Sequence, residues 1–306
     1  MQINLREAWF PWAGYAGEVY ALYEVDSLYN VALKLEPGSE DINPIQMVLG
    51  GTNEFSIASA ENLLVANSKG ANLVAIGVLN YKSPTCFIAL ENRHIQSLKD
   101  FEGKRVGVLT GSETETIYRI LIAKNHIRKD TITEVEAPYD LSSFINTNTY
   151  DIRPAFIYDE TVSLDLKGIK YNIIKPEDYN VKLMGAVYFT TREMIEKHPQ
   201  KVQAFVNIIA KGWEKALENP QKAIHYLKRF DKNIDTTREL ASLEKGLDYF
   251  RGQDNKALFV SSDEWKNLFD NLVEFKRFGT NFDFAKFDYT KSFDNSFILK
   301  YHNESK

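Results

Sequence analysis

A chain of 306 residues, 44% of them hydrophobic and 26% charged, is long enough for one large domain or two lobes with separate cores. Its net charge of −5, with scattered lysines and arginines, argues against nucleic-acid binding, because phosphate contacts require clustered cations. The sequence has no apolar run near the roughly 20 residues of a membrane span, and its single cysteine, Cys86, excludes an internal disulfide.

The N-terminal sequence and the histidines bear on location and on metals. Met1 is followed almost at once by a strand-like segment, Ile3–Ala8, so we expect no signal peptide in this sequence. If the natural protein is exported, the sequence is a trimmed form of it. The five histidines lack the spacing of metal ligands, and we expect no metal site.

Short apolar runs alternate with helical patterns as far as Arg192, beyond which only helices are predicted. The predicted strands are Met1–Ala8, Asn30–Leu35, Asn53–Ile57, Leu73–Leu79, Thr85–Leu90, Val106–Leu109, Ile132–Glu136, Ile152–Tyr158, Tyr171–Ile174 and Gly185–Thr190. This alternation is typical of βαβ units on a largely parallel sheet. Ligand sites of such sheets lie at the carboxyl ends of the strands.

Two loops could face a ligand. The loop after the first strand carries Trp9 and Trp12 just before the predicted helix Tyr15–Tyr23, and these rings suit either a lid on the core or the walls of a slot for a flat heterocycle. The segment Gly103–Glu115 is predicted to form a strand, a tight loop and a helix start, where backbone N–H groups can bind a small polar ligand. Ser112 and Glu115 also form an ordinary capping box, which alone would explain both residues.

Motifs for catalysis are missing. The sequence has no phosphate loop, no G-x-S-x-G elbow and no G-x-G-x-x-G fingerprint. Asp159 and Glu160 are adjacent, and neighbouring residues on a strand point to opposite faces, which disfavours paired-carboxylate catalysis. We therefore expect binding and no enzyme activity, with no cofactor.

Several segments together indicate a family. They are Gly50–Ile57, Lys69-Gly70 before the strand Leu73–Leu79, Ser83-Pro84, Ile95–Val108, Pro154–Glu160, and His198-Pro199 followed by Gly212-Trp213. In order and spacing they resemble the periplasmic solute-binding proteins of ABC importers, in the branch that groups sulfonate-binding and thiamine-pyrimidine-related proteins. The resemblance covers roughly Leu5–Phe278 and is most specific over Ile95–Val108.

The resemblance implies an α/β type II periplasmic-binding-protein fold, with two α/β lobes joined by two crossing strands and a ligand cleft between them. Thr85–Leu90 and Lys182–Thr190 resemble the crossing strands. Residues 1–88 and 186–306 would form lobe I, including the C-terminal helices, and residues 89–185 lobe II. Such a monomer would be periplasmic, or extracellular and membrane-anchored, and would capture a small molecule by lobe closure for an ABC permease.

The same branch includes pyrimidine synthases that use a lysine-anchored pyridoxal phosphate and a sacrificial histidine. Aligned on this resemblance, the lysine position holds Ala58 and the histidine position holds Asn62. The cysteine cluster of those enzymes would fall near Lys182–Ala186 and is also missing. These departures argue against synthase activity.

The resemblance also nominates ligand-binding residues in the loops that face the cleft in such proteins. They are Trp9, Trp12, Ser59, Glu61, Tyr81, Thr110, Gly111, Ser112, Glu113, Thr114, Tyr158, Glu160 and Met184. Two of them have ordinary alternatives, because Glu61 suits a charge in the first turn of a helix and Tyr81 suits a cover on the core.

The acidic residues favour one ligand class. Glu61, Glu113 and Glu115 would repel an anion and would accept hydrogen bonds from ring or amino N–H groups. We therefore predict a neutral or cationic planar heterocycle, such as an aminopyrimidine precursor of thiamine. Two binding alternatives remain, a ligand-sensing domain of a membrane signalling protein and a receptor for sulfonate or nitrate. An enzyme of the pyrimidine pathway is a further alternative.

Overall fold

The computed structural model describes residues 1–279, 282–283 and 286–304, which form ten strands and twelve α-helices. The strands are β1 Gln2–Arg6, β2 Ala32–Glu36, β3 Phe55–Ser59, β4 Leu73–Val78, β5 Thr85–Leu90, β6 Arg105–Val108, β7 Thr133–Glu136, β8 Arg153–Phe156, β9 Tyr171–Ile174 and β10 Ala186–Thr191. The helices are α1 Ala16–Tyr20, α2 Pro44–Leu49, α3 Ala60–Ser68, α4 Glu113–Lys124, α5 Leu141–Asn146, α6 Glu160–Leu166, α7 Arg192–Lys197, α8 Pro199–Glu218, α9 Pro220–Phe230, α10 Thr236–Phe250, α11 Ser262–Glu274 and α12 Ser296–Glu304.

The chain divides into two compact units. The first contains Met1–Ser83, Met184–Asp270 and Phe278–Lys306, and the second contains Pro84–Leu183 and Asn271–Arg277. Both units combine helices with sheet, so the mixed α/β class predicted from the alternating pattern is confirmed. In the described ranges, every helix is too short or too polar to cross a membrane.

The first unit is built on a five-stranded sheet in the order β2-β1-β3-β10-β4. β1 runs parallel to both β2 and β3, whereas β10 runs antiparallel to β3 and to β4. β4 is therefore parallel to β1, and the carboxyl ends of these four strands share one edge of the sheet. All six residues of β4 are buried, as expected for a strand covered on both faces.

Helix α8 covers this sheet with an apolar stripe. Phe205, Ile209 and Trp213, at spacings of four residues, are all fully buried, and the Phe205 ring stacks on Phe55 of β3 at 4.1 Å. Gly212 permits the close approach of α8 to α1, because a Cβ there would lie 2.2 Å from the carbonyl oxygen of Gly17.

The second unit contains two smaller sheets. β5 pairs antiparallel with β8 and β9, and β6 pairs parallel with β7. A parallel bridge between Val106 and Ile152 connects the two sheets, so the carboxyl ends of β6, β7 and β8 point the same way. Cys86, Ile88 and Phe144 belong to the buried apolar core of this unit.

Several predicted bounds need correction. The helix predicted over Tyr15–Tyr23 is a 3-10 turn, the short α1 and a π-helical turn over Ala21–Val25. The third strand begins two residues later than predicted, at Phe55, and ends at Ser59, which caps α3. The two segments predicted to cross between lobes lie at boundaries between the units, because Thr85–Leu90 directly follows Pro84, the first residue of the second unit, and Lys182–Thr190 contains the boundary between Leu183 and Met184.

Candidate functional site

One edge of the first unit gathers six of the predicted ligand-binding residues. Trp9 and Trp12 follow β1, Ser59 and Glu61 lie at the junction of β3 and α3, Tyr81 follows β4, and Met184 precedes β10. Backbone hydrogen bonds of Gly185 connect three of these loops. Its carbonyl accepts from Ala60 N at 3.0 Å, and its N–H donates to the carbonyl of Asn80 at 2.9 Å. The parallel register therefore brings residues from distant parts of the chain to one edge.

The loop after β1 has a fixed conformation. The carbonyl of Trp9 accepts from the backbone N–H of Gly38 at 3.0 Å, and that of Trp12 accepts from Tyr15 N at the same distance. The rings of Trp12 and Tyr15 meet edge to face with centroids 6.1 Å apart. A Cβ on Gly14 would lie 2.3 Å from the Trp12 indole, so this position requires glycine for the ring to lie where it does.

Two buried carboxyl groups lie beneath this edge. Burial raises the pKa of Glu7 well above its usual range, Glu18 adds to the rise and Arg6 opposes it. Glu18 accepts a hydrogen bond from the Tyr188 hydroxyl, which accepts in turn from Trp213 Nε1 at 2.7 Å. Burial raises the pKa of Glu18 to about 8, although these hydrogen bonds lower it in part. Glu18 therefore holds a proton at neutral pH.

In the second unit, the loop after β6 is already occupied by carboxylates of the chain itself. Glu136, at the end of β7, accepts from the backbone N–H of Thr110 at 3.2 Å and also from its hydroxyl. Glu115 of α4 accepts from Gly111 N at 2.8 Å. Two N–H groups of this loop, those of Thr110 and Gly111, therefore donate to acidic side chains.

The predicted Ser112 cap is present in this loop, but the complete capping box with Glu115 is not formed. Ser112 Oγ accepts from Glu115 N at 3.3 Å, as an N-cap residue does. The Glu115 carboxylate accepts from Gly111 N and not from Ser112 N, so the second bond of a capping box is made one residue earlier in the chain. Thr114, in the first turn of α4, bonds Ser112 Oγ at 2.8 Å and is buried.

Arg153 organises the loop between β7 and α5. Its fully buried guanidinium donates to the carbonyls of Pro138 at 2.9 Å and Tyr139 at 2.6 Å. It also lies 3.6 Å from Glu160, whose other oxygen accepts from Phe156 N at 2.7 Å. Glu160, which follows the strand predicted over Ile152–Tyr158, begins α6 and contributes to this internal network.

Exposure separates the predicted residues into two groups. Glu61, Thr114, Tyr158 and Met184 are buried, each at most 6% exposed. The others are half-buried or exposed, namely Trp9, Trp12, Ser59, Tyr81, Thr110, Gly111, Ser112, Glu113 and Glu160.

The sequence pattern missed Glu7, Glu18 and Glu136. Glu7 had a visible signal, because alternation along β1 places it on the same face as the buried Ile3 and Leu5. Glu136 had none, since its contact with Thr110 joins residues 26 positions apart. Among the residues described, no cluster of His, Cys, Asp and Glu could hold a metal ion.

A family model described as NMT1/THI5 like matches residues 29–223. The chain belongs to the NMT1/THI5-like family. This match confirms the family resemblance predicted from the sequence. It spans β2 to the start of α9, and so includes most of the first unit's sheet and the whole of Pro84–Leu183 in the second.

Three relatives place this NMT1/THI5-like chain among known proteins. A 4-amino-5-hydroxymethyl-2-methylpyrimidine phosphate synthase of Legionella pneumophila is 24% identical over 256 residues, which is 82% of this chain and 79% of the synthase. The putative periplasmic sulfonate-binding protein SsuA of Methylobacillus flagellatus superposes with a TM-score of 0.75 at 12% identity, covering 100% of this chain and 94% of its own. The periplasmic aliphatic sulphonate-binding protein SsuA of Escherichia coli gives 0.73 at 16% identity, over 95% and 91% of the two chains.

These superpositions show that the NMT1/THI5-like chain has a periplasmic-binding-protein fold, as the sequence predicts. Ala58 and Asn62, the residues that the resemblance to pyrimidine synthases aligned with a lysine and a histidine, lie in β3 opposite Val187 and in the first turn of α3. Neither side chain carries an amine or an imidazole.

Proposed function

We propose that this protein is an extracytoplasmic solute-binding protein that captures a small planar heterocycle of the aminopyrimidine class and delivers it to an ABC permease. It leaves the ligand chemically unchanged. The periplasmic-binding-protein fold and the family membership support a binding role. The residues at the strand ends support the choice of ligand.

The choice of ligand rests on one observation in the loop before α4. The carboxylates of Glu136 and Glu115 accept hydrogen bonds from backbone N–H groups of this loop. Helix N-termini bind anions through free N–H groups and a positive helix dipole. Here, Thr110 and Gly111 donate to carboxylates, so an anion at this loop would meet negative charge. The same carboxylates can accept hydrogen bonds from the ring and amino N–H groups of a heterocycle.

The edge of the first unit offers aromatic rings for a flat ligand. Trp9 and Trp12 are half-buried at the end of β1, and their loop is fixed by backbone hydrogen bonds. Aromatic faces of this kind favour offset stacking with another flat ring. The relative from Legionella is a synthase named for a methylpyrimidine phosphate, which is consistent with a pyrimidine ligand in this family.

Calorimetry with four compounds tests the proposed ligand. We expect 4-amino-5-hydroxymethyl-2-methylpyrimidine to bind with a stoichiometry of one, and a flavin, taurine and nitrate to bind at least tenfold more weakly. Trp12→Ala should weaken binding of the pyrimidine by roughly ten- to a hundredfold, because stacking of a base on an aromatic side chain contributes about 1–3 kcal/mol. Tight binding of taurine or nitrate would overturn the choice of a heterocycle.

A sulfonate or nitrate receptor is the second candidate, and the names of the superposed proteins favour it. Glu136→Gln separates the two functions. If the natural ligand is an anion, removal of this charge should tighten taurine binding strongly. If the ligand is an aminopyrimidine, the same change should weaken its binding.

The enzyme alternative has its own test. A synthase of the pyridoxal-phosphate type would form a lysine imine with a characteristic absorbance on addition of pyridoxal phosphate. We expect no such band, because Ala58 occupies the position aligned with the catalytic lysine. An imine mapped to a single lysine by mass spectrometry would support the alternative that this protein is a synthase.

A further inference from the structure

A carboxylate from the C-terminal helices contacts the loop after β1. Glu239 lies in the first turn of α10, is only 5% exposed, and accepts a hydrogen bond from Ala13 N at 2.6 Å. The two residues are 226 positions apart in the sequence. The other oxygen of Glu239 pairs with the guanidinium of Arg238, so both oxygens have partners.

This contact satisfies a backbone group that has no local partner. Ala13 begins a 3-10 turn, and the residue before it, Trp12, is extended, with φ −161° and ψ 177°, and offers no side-chain cap. A short polar side chain usually accepts from the first N–H groups of such a turn. Glu239 does so from another part of the fold, with a carboxyl group that also pairs with the guanidinium of Arg238.

The turn held by Glu239 determines where the Trp12 indole lies. The Trp12 carbonyl closes the turn by accepting from Tyr15 N, and the indole packs over Gly14. The ring also meets the Tyr15 ring edge to face, so its direction depends on the turn that places both side chains. Loss of the bond to Ala13 N would release the start of this turn.

We infer that Glu239 is a positioning residue for ligand binding, which holds the Trp12 ring in the orientation needed to stack on a planar heterocycle. The part of this inference that concerns the ligand rests on the proposed function. The part that concerns the ring does not, because the contact exists without a ligand. Glu239 itself need not touch the ligand.

Fluorine NMR of the full chain labelled with 5-fluorotryptophan tests the ring directly. The chain has four tryptophans, so four resonances are expected, and Trp12→Phe identifies the one from Trp12. In Glu239→Leu, we expect the Trp12 resonance to shift and broaden while those of Trp213 and Trp265 stay in place. Glu239→Gln keeps an acceptor oxygen, so its spectrum should stay close to that of the wild type.

Affinity for 4-amino-5-hydroxymethyl-2-methylpyrimidine is measured by calorimetry on the same variants. The dissociation constant should rise roughly ten- to a hundredfold in Glu239→Leu and less than threefold in Glu239→Gln, as expected for a lost bond to a charged group. Glu244→Leu, an exposed glutamate on the same helix, is the matched control and should change neither readout. If Glu239→Leu does not fold, Glu239→Ala provides the same comparison with a smaller side chain.

An unchanged Trp12 resonance in a folded Glu239→Leu or Glu239→Ala variant would overturn the inference. Equal shifts of all four resonances would also overturn it, because they would show a general role in stability. A third outcome separates the two parts of the inference. If the wild type does not bind the pyrimidine, but only the Trp12 resonance shifts in Glu239→Leu, then the proposed ligand is wrong and the positioning of the ring by Glu239 stands.

Discussion

In the first unit, Glu7 and Glu18 are fully buried among aromatic residues, whereas in the second unit Asp151, Glu134 and Glu160 each meet an arginine. These two kinds of carboxyl group differ in what sets their pKa. Burial raises the pKa of Glu7 and Glu18, whereas hydrogen bonds from Arg105 lower the pKa of Asp151. Glu18 and Asp151 should therefore change the free energy of unfolding in opposite directions as the pH changes.

The largest effect is expected at Arg153 in the second unit. Arg153→Met would remove the buried donor to the carbonyls of Pro138 and Tyr139 and the ion-pair partner of Glu160, and we expect a loss of about 3–5 kcal/mol in the free energy of unfolding. Urea denaturation at pH 7 measures this loss. Arg251→Met, at a half-exposed arginine, is the control, and a loss below 1 kcal/mol in Arg153→Met would contradict the network.

The next effect concerns the pH dependence of the first unit. The pKa of Glu18 is about 8 in the folded state against a usual value of 4.5, so the folded state holds a proton that the unfolded chain releases. The contribution of Glu18 to stability should therefore be fully present below pH 4.5 and should be lost as the pH rises through 8. Between pH 5 and 8, the expected loss from Glu18 is about 3 kcal/mol.

Glu18→Gln tests this assignment, because glutamine keeps an acceptor for Tyr188 and does not titrate. Denaturation curves at pH 5 and pH 8 should differ by about 3 kcal/mol less in the variant than in the wild type. The exposed Glu218→Gln should keep the wild-type difference. A variant with the full pH dependence would show that Glu18 is ionised in the folded state.

A smaller effect of opposite sign is expected at Asp151 in the second unit. Hydrogen bonds from Arg105 lower the pKa of Asp151, so its contribution is present above the unfolded pKa and is lost as the pH falls through the folded one. Asp151→Asn should cost about 1–2 kcal/mol at pH 7 and should reduce the loss of stability on acidification. The exposed Asp248→Asn should do neither, and equal behaviour of the two variants would contradict the ion-pair assignment.

Local patterns predict the parts of the fold that depend on neighbouring residues. Pro44–Leu49 begins with proline and is a helix with those bounds, and Ser112 caps α4 because a serine before an apolar helical stripe has an N–H within reach. The parallel order of β1, β2 and β3 follows from alternation of strands and helices.

Contacts between distant segments could not be predicted in this way. Glu239 and Ala13 meet because α10 packs near the end of β1, and no spacing along the chain encodes that approach. The resemblance placed Tyr158 among ligand-binding residues, yet the sequence gives no measure of its burial, which the structure puts at 2% exposure. The ligand-binding assignment of the thirteen predicted residues stays a prediction.

The central claim is that this protein binds an aminopyrimidine reversibly and does not transform it. Equilibrium dialysis against 4-amino-5-hydroxymethyl-2-methylpyrimidine, followed by mass spectrometry of the recovered compound, tests both halves of the claim together. We expect one molecule retained per chain and recovered with its mass unchanged. Retention of less than a tenth of a molecule per chain at saturating pyrimidine, or recovery of a compound with a different mass, would contradict the claim.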